Sequence, residues 1–389
     1  MSLRIVVSTP TFLPQVGGAE IGIHEIFRRL AERHDVTIVT PRQRRDASGL
    51  DVPADDWNAE YRVHYPLSSI EPLVPRFVMK LLHRSALSYL VALAGLRARK
   101  RADVINFHFI TPQGPAIVAL RRLLAVPSVL SLVGRSDVLH LLNWPNRAYA
   151  RFVVSCPDVV VQNSAFYLRG ETAERAQVVP YGVDTRTYAP SARDVDLRTR
   201  LGVGTNACML LAVQRLVPVK RIDVLIRAMA EITTHHSDAH LVVVGHGPEK
   251  DTLTSLVHEL GLSANVTFAG YISNAELPAY FASADIFVFH SMLETFGVVF
   301  AQAMASGLPI VAADTSCVGD VVMPSNGILV KPFDVDAFCH AVVSLITDTR
   351  RRRAIGTVNR TRAEQEFDWD LIADRYERIL VDAARGGGS

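Results

Sequence analysis

The sequence predicts an α/β fold in which two parallel-sheet domains face each other across a cleft. Three observations predict it. Short β-branched apolar runs alternate with helical patterns, the mark of βαβ units. The runs lack polar alternation, as strands covered on both faces do. The pattern stops in a cluster of Gly, Asp, Thr and Pro between Gly182 and Ser191 and then restarts. The chain has 389 residues, enough for two such units at about 150 residues per domain.

In the first unit, Arg4 to Ser8 reads as a strand, Ala19 to Arg33 as a helix and Val36 to Thr40 as the next strand. Val104 to Phe107, Ser128 to Val133 and Val159 to Gln162 are further strands. Arg4 is followed by only three apolar residues before Ser-Thr-Pro, which predicts a buried strand rather than a secretory leader. In the second unit the strands are Met209 to Val213, His240 to Val244, Val266 to Ala269, Ile286 to Phe289 and Ile310 to Ala313, with a helix beginning at Ile222.

Composition narrows the function. Hydrophobic residues make up 49% and charged residues 21%, which excludes a disordered chain and a small disulfide scaffold. Lys and Arg total 41 against 39 Asp and Glu, too even a balance for a general nucleic-acid binder. Cys156, Cys208, Cys317 and Cys339 form no C-x-x-C pair and sit in apolar segments, so they are expected to be free thiols in a reducing, cytoplasmic setting. No run reaches the roughly 18 apolar residues of a membrane span. The segment Glu71 to Arg101 mixes apolar and basic residues. It reads either as core-packed helices with snorkelling ends or, less favoured, as a surface that lies on a membrane. Arg350 to Arg353 reads as a solvated helix turn.

Ligands of open parallel sheets bind at the carboxyl ends of the strands, so the loops there carry the functional reading. Gly17 and Gly18 precede the first helix, where backbone N–H groups can meet an anion; a plain flexible turn is the alternative. Gly245-His246-Gly247 is another glycine turn, but Lys250 stands where a dinucleotide fingerprint has its third glycine. Arg215 and Lys220 follow a strand and can grip a diphosphate, or be a solvated pair. Glu294 stands just ahead of a helix that starts near Gly297. It can accept sugar hydroxyls while the N–H groups of Phe296, Gly297, Val298 and Val299 take phosphate oxygens. Gln302, further along that helix, can reach a ribose. The triplets Asp194/Asp196, Asp334/Asp336 and Asp368/Asp370 read as helix caps rather than metal ligands.

Taken in order, these motifs resemble the family-4 retaining glycosyltransferases of the GT-B fold. The resemblance rests on Gly17-Gly18-Ala19-Glu20, His108, Pro180 to Asp184, Arg215 with Lys220, Gly245 to Pro248, Glu294 to Gly297, Ala303 to Ala305, Gly307 to Pro309, and Phe367-Asp368-Trp369. It implies two Rossmann-like domains, 1–185 for the acceptor and 186–368 for the nucleotide sugar, with 369–389 crossing back to the first. It further implies that Gly17 and Gly18 close over the donor diphosphate, that Arg215 and Lys220 neutralise it, and that Glu294 holds the donor sugar. His108 would contact that sugar, and the Gly270-Tyr271-Ile272 turn would receive the base, taken to be uridine. No cofactor and no metal are implied; the partners are a nucleotide-sugar donor and a small-molecule acceptor. Domain closure would assemble the site.

Two departures stand out. The family usually has a second Glu eight residues after the first; here that position is Gln302, without charge assistance. The acceptor-side loop Val133-Gly134-Arg135-Ser136-Asp137 has Val133 where a polar residue is frequent. Asp137 is the acceptor-side candidate, with helix capping an equal reading. More faintly, the whole sequence is similar to glycosyltransferases of deoxystreptamine aminoglycoside biosynthesis, which would imply an aminosugar pseudodisaccharide acceptor. A lipid acceptor at Glu71 to Arg101, a sugar-nucleotide epimerase or hydrolase, and a non-catalytic binding protein are the rival readings.

Overall fold

The computed structural model describes residues 2–13, 17–41, 61–65, 89, 93–95, 102–124, 127–132, 137, 146–167, 176–194 and 196–386. Its contacts divide the chain into two compact units. One is Met1–Pro180 with Trp369–Ser389, and the other is Tyr181–Asp368. The first break falls just ahead of the Gly182 cluster because the residues after it bond within the second unit. Val183 bridges to Asp368, the Val183 N–H donates to the Phe367 carbonyl at 2.7 Å, and the Thr185 hydroxyl donates to the Asp368 carboxylate.

In the first unit the strands are β1 (Arg4–Ser8), β2 (Asp35–Val39), β3 (Arg62–His64), β4 (Val104–His108), β5 (Ser128–Leu132), β6 (Val159–Gln162) and β7 (Ala176–Val178). They form one parallel sheet in the order β3-β2-β1-β4-β5-β6-β7. The sequence reading lacks β3 and β7. Both are three-residue edge strands with mostly exposed side chains, so no apolar run marks them. Helices α1 (Gly18–Ala31), α2 (Gly114–Leu124) and α3 (Asn146–Val154) connect the strands. Of the basic-apolar segment Glu71 to Arg101, Tyr89 and Leu93 are fully buried in this unit's core. The rest lies outside the described residues, apart from Ala94 and Gly95.

The C-terminal helix, Trp369–Ala384, belongs to this unit and packs on α1. Its ties are electrostatic as well as apolar. Buried Arg29 of α1 donates to Asp370 at 2.5 Å and pairs with Glu25. The His34 ring accepts the Leu3 N–H on Nδ1 at 3.1 Å, so its other nitrogen is the one that donates to Glu377, at 2.9 Å.

The second unit holds β8 (Met209–Val213), β9 (His240–Val244), β10 (Val266–Gly270), β11 (Ile286–Phe289), β12 (Ile310–Ala313) and β13 (Gly327–Val330). These pair in parallel in the order β10-β9-β8-β11-β12-β13. The helices of this unit are α4 (Leu197–Arg200), α5 (Ile222–His235), α6 (Lys250–Glu259), α7 (Leu277–Ser283), α8 (Val298–Ala305), α9 (Val318–Val321), α10 (Val335–Thr347) and α11 (Thr349–Arg362), and the C-terminal helix of the first unit is α12. Two of the three Asp-rich triplets bond locally, while Asp368 and Asp370 reach Thr185 and Arg29. Asp334 accepts the Ala337 N–H at 2.9 Å, and Asp194 accepts the Asp196 N–H at 2.9 Å and pairs with Arg200. Arg350, Arg351 and Arg353 are exposed on α11, as the sequence predicts, whereas Arg352 is half-buried and donates to the Leu345 and Ile346 carbonyls at 2.9 and 3.2 Å. Cys208, Cys317 and Cys339 are buried free thiols and Cys156 is half-buried. Among the described residues no helix is long and apolar enough to cross a membrane.

One side chain fixes the start of this unit. Arg360 of α11 donates to three carbonyls, Thr185 at 2.9 Å, Tyr188 at 2.8 Å and Ala305 at 2.6 Å. It therefore closes the C-terminus of α8 and clasps the segment that enters the unit. Replacing it strands three acceptors at once. Arg360→Met is expected to destabilise the unit by about 2–4 kcal/mol, since bonds to charged donors are worth roughly 1.5–3 kcal/mol each and part of the loss is recovered by water. Urea unfolding of the two proteins measures the difference.

A buried polar ladder crosses the first unit. Asn106 donates to the Val129 carbonyl at 3.2 Å and to Ser131 Oγ at 3.0 Å, which leaves its oxygen to accept His108 Nε2–H at 2.8 Å. His108 is fully buried with its ring edge-on to Phe27, and burial holds it down at about 3. The folded state keeps this ring neutral, while the unfolded chain takes up a proton below the ordinary value of 6.5. Stability from this group is therefore complete above about pH 6.5 and is lost as the pH falls toward the folded value. His290, lowered to about 4 by burial and by Arg221, has the same sign in the second unit. Between about pH 6.5 and 4 the urea midpoint should fall, and His108→Gln should flatten that slope by up to one proton, or about 1.4 kcal/mol per pH unit.

Candidate active site

Parallel pairing sends every strand of the second unit out of the same edge, so its connecting loops gather there. The loops are stitched backbone to backbone. The Leu216 N–H donates to the His246 carbonyl at 2.9 Å, Glu249 N–H to the Leu216 carbonyl at 3.0 Å, Gly245 N–H to the Gly270 carbonyl at 2.7 Å, and Met292 N–H to the Val219 carbonyl at 2.9 Å. The approach needs glycine. A Cβ on Gly245 would stand 2.0 Å from the Gln214 carbonyl oxygen, and one on Gly247 would stand 2.3 Å from that of Leu216. Both also have positive φ, at 137° and 159°.

This edge collects the cations and the carboxylate that the sequence singles out. Lys220 and Glu294 form an ion pair, with Lys220 Nζ also 5.4 Å from the centre of the Phe289 ring. Both side chains are mostly buried. Ser316 Oγ accepts the Glu294 N–H at 2.9 Å and so fixes the carboxylate's own backbone. Arg215 is exposed and pairs with no carboxylate among the described residues. Glu294 leads into α8 through Gly297, whose φ of 78° turns the chain into the helix. A Cβ there would stand 2.7 Å from the Phe300 ring. Phe296 is 2% exposed and its ring packs on Tyr181 and Phe367. The N–H groups of Phe296, Gly297, Val298 and Val299 have no protein acceptor among the described residues, which gives α8 an open anion-binding terminus. Gln302, one turn further, is half-buried and donates from Nε2 to the Tyr188 hydroxyl at 2.9 Å. Tyr271 is 63% exposed, edge-on to His246, and Ile272 beside it is half-buried.

The remaining predicted residues lie in the first unit. Gly17 caps the N-terminus of α1 in extended conformation, and Gly18 opens the helix. Glu20 folds back over Gly17, its Oε2 2.5 Å from where a Cβ would be. An anion at this terminus has to share it with that carboxylate. Two expectations change. His108 was set against a donor sugar, but its ring is turned into the core and spends Nε2 on Asn106. Asp137, for which acceptor contact and helix capping are equal readings, is 1% exposed, and its carboxylate accepts the Ile110 N–H at 2.8 Å, tying the loop after β5 to the loop after β4. Val133, Gly134, Arg135 and Ser136 lie outside the described residues.

Sequence reasoning missed a second set at the same edge. Arg221, next to Lys220, is left-handed at φ 44° and pairs with Asp223. Its guanidinium lies 4.6 Å from the centre of the Phe333 ring, and Phe333 is itself at φ 66°. The Phe333 N–H donates to His290 Nε2 at 3.3 Å. This set pins the loop that carries Lys220. Its position directly after the Arg215/Lys220 pair is the only sequence signal it gives; the backbone conformations have none.

Comparisons with known proteins agree with this architecture. The family described as Glycosyl transferases group 1 matches residues 196–362, and Glycosyltransferase Family 4 matches residues 16–187. A Mycobacterium tuberculosis protein named GDP-mannose-dependent alpha-(1-6)-phosphatidylinositol monomannoside mannosyltransferase is 30% identical over 98% of this chain and 100% of its own length. Sucrose-phosphate synthase from Thermosynechococcus elongatus superposes with a TM-score of 0.79 at 22% identity, covering 99% of this chain and 100% of that one. Anabaena HepE in complex with UDP and glucose does so with a TM-score of 0.72 at 23% identity, covering 97% and 99%. These two likenesses speak for the fold. The Mycobacterium tuberculosis relative is named a mannosyltransferase rather than an aminoglycoside enzyme. The chain belongs to the family-4 retaining glycosyltransferases and has their GT-B fold.

Proposed function

We propose that the protein transfers a hexosyl group, with retention, from a nucleoside-diphosphate sugar to a hydroxyl of a cyclitol-containing acceptor, without a metal ion. The observation that carries the donor half is the edge of the second sheet. There, exposed Arg215 stands with the Lys220–Glu294 pair and the open N-terminus of α8. The diphosphate is taken by Arg215, Lys220 and the N–H groups of Phe296 to Val299, and the base lies at Gly270-Tyr271-Ile272 beside Gly245. Glu294 accepts the sugar hydroxyls. These cations do the work of a metal by stabilising charge on the leaving group. The bond from the anomeric carbon to the diphosphate breaks and the electron pair leaves with the phosphate. The acceptor oxygen bonds the same face of that carbon, and its proton passes to the departing phosphate oxygen. His108 and Asp137, being buried, serve by holding the first unit's edge loops.

The acceptor half is supported by the Mycobacterium tuberculosis relative, which covers nearly the whole chain and is named for an inositol lipid. A lipid acceptor is the second reading, favoured by that same relative. For the base, the full-length relative is named for GDP-mannose, while a uridine donor follows from the family resemblance.

The test incubates the protein with GDP-mannose and a panel of UDP-sugars, in EDTA, against an aminocyclitol pseudodisaccharide, inositol phosphate and phosphatidylinositol monomannoside. A product heavier by one hexose and α-configured by NMR is expected; nucleotide release without acceptor would replace transfer by hydrolysis. Arg215→Ala should lower kcat/KM about 100-fold or more, the usual cost of losing one charge-stabilising donor.

The ion pair sets a second expectation. Bare nucleotide brings no sugar to satisfy Glu294, so Lys220 stays shared between carboxylate and phosphate. Glu294→Gln frees the lysine. It should abolish transfer yet tighten binding of UDP or GDP several-fold by calorimetry. Equal weakening of nucleotide and nucleotide sugar would contradict the shared lysine.

A further inference from the structure

Gln302 is set for its task by a residue that no family motif marks. Tyr188 stands in the segment clasped by Arg360, which takes its carbonyl at 2.8 Å. Its own N–H donates to the Asp184 carbonyl at 2.8 Å, and Asp184 in turn accepts the N–H of Arg186 at 3.0 Å and the Thr187 hydroxyl at 2.9 Å. The ring is 7% exposed and edge-on to Phe281 at 5.7 Å. Burial pushes the phenol well up, so it stays protonated. The hydroxyl is thereby held in one place, 2.9 Å from Gln302 Nε2.

Hydrogen-bond accounting then leaves something over. The carboxamide donates into the phenolic oxygen, so the phenol's own O–H points elsewhere. Among the described residues that O–H has no acceptor and Gln302 Oε1 has no donor. One donor and one acceptor lie side by side, unspent. A vicinal diol is complementary to such a pair, because one hydroxyl can donate to Oε1 while its neighbour accepts from the phenol. Gln302 lies one helical turn, about 5.4 Å, beyond the N–H groups at the start of α8. A diphosphate bound there is joined at one end to the donor sugar, which Glu294 takes on the proposed reading, and at the other to the ribose.

We propose that Tyr188 is a binding residue for the nucleotide ribose, and that Tyr188 O–H and Gln302 Oε1 read its 2′,3′-diol together. The inference rests on the second unit being the nucleotide-sugar domain. It gives the carboxamide at position 302 a reason. A lone carboxamide would be a poorer diol acceptor than a carboxylate, but a carboxamide fixed by a phenol supplies both halves of a donor–acceptor pattern.

The experiment titrates UDP and GDP, and their 2′-deoxy and 3′-deoxy counterparts, into wild type, Tyr188→Phe and Gln302→Ala by calorimetry. Melting curves report folding. Wild type is expected to favour the ribonucleotide over at least one deoxy form by about five- to tenfold, the usual worth of one hydrogen bond. Tyr188→Phe, melting close to wild type, should bring that ratio near one while its affinity for the deoxy form stays unchanged. In transfer assays it should raise donor KM with little change in kcat. A Tyr188→Phe protein that keeps the wild-type ratio, or that loses ribo- and deoxynucleotide equally, overturns the proposal. Gln302→Ala gives an independent variant with the same expected loss of discrimination. Failure of wild type to bind any of these nucleotides would sink the donor-domain reading, and this proposal with it.

Discussion

Two glycines without side chains let the candidate donor edge exist. Gly245 and Gly247 allow the loop after β9 to lie directly on the backbone after β8, with carbonyl oxygens where a Cβ would be. That contact fixes the Gln214–Leu216 stretch and so the root of Arg215. The same loop, through the Gly245 N–H, holds Gly270 and with it the Tyr271 turn. A parallel sheet brings its loops to one edge, but nothing in strand pairing sets the loops relative to each other. Here main-chain hydrogen bonds do so, and these tolerate substitution only where glycine is not required.

Charge at this edge is distributed unevenly. Arg215 is exposed and has no carboxylate partner among the described residues, whereas Lys220 is mostly buried and already paired with Glu294. Burying a charge without a partner is costly. The pairing supplies a partner to each group and gives each a defined position before a ligand arrives. The cost is that a ligand anion must compete with Glu294 for the lysine. A ligand that brings hydroxyls for the carboxylate and phosphate for the lysine satisfies both at once.

Much of this was legible in the sequence, and the reason is periodicity. Runs such as Met209 to Val213 and His240 to Val244 are covered on both faces and announce parallel strands. Glycine turns and the Arg215/Lys220 spacing then fall at strand ends by counting. The edge strands Arg62–His64 and Ala176–Val178 did not announce themselves, because three exposed residues carry no pattern. The two site residues that the structure buries share one cause. His108 and Asp137 are polar residues at strand ends, where ligand contact and burial under a neighbouring loop look identical in sequence. The register of the side chain decides between them, and here it places both inside. Tyr188 and the Arg221–Phe333 stack were missed for the converse reason: their meaning lies in partners far away in the chain.

The non-glycine residues with positive φ carry a further consequence. In the second unit these are Arg221, Ser316 and Phe333, each on a loop at the same edge. Each such conformation costs an L-residue roughly 1–2 kcal/mol, which glycine would largely avoid. Consensus thermostabilisation would target these three positions first. It would also remove the hydroxyl that fixes the Glu294 backbone and both members of the stack beside Lys220. The rim of this domain therefore trades heat tolerance for a rigid arrangement of its charged groups, and a stabilised variant is better sought in the helices behind the sheet.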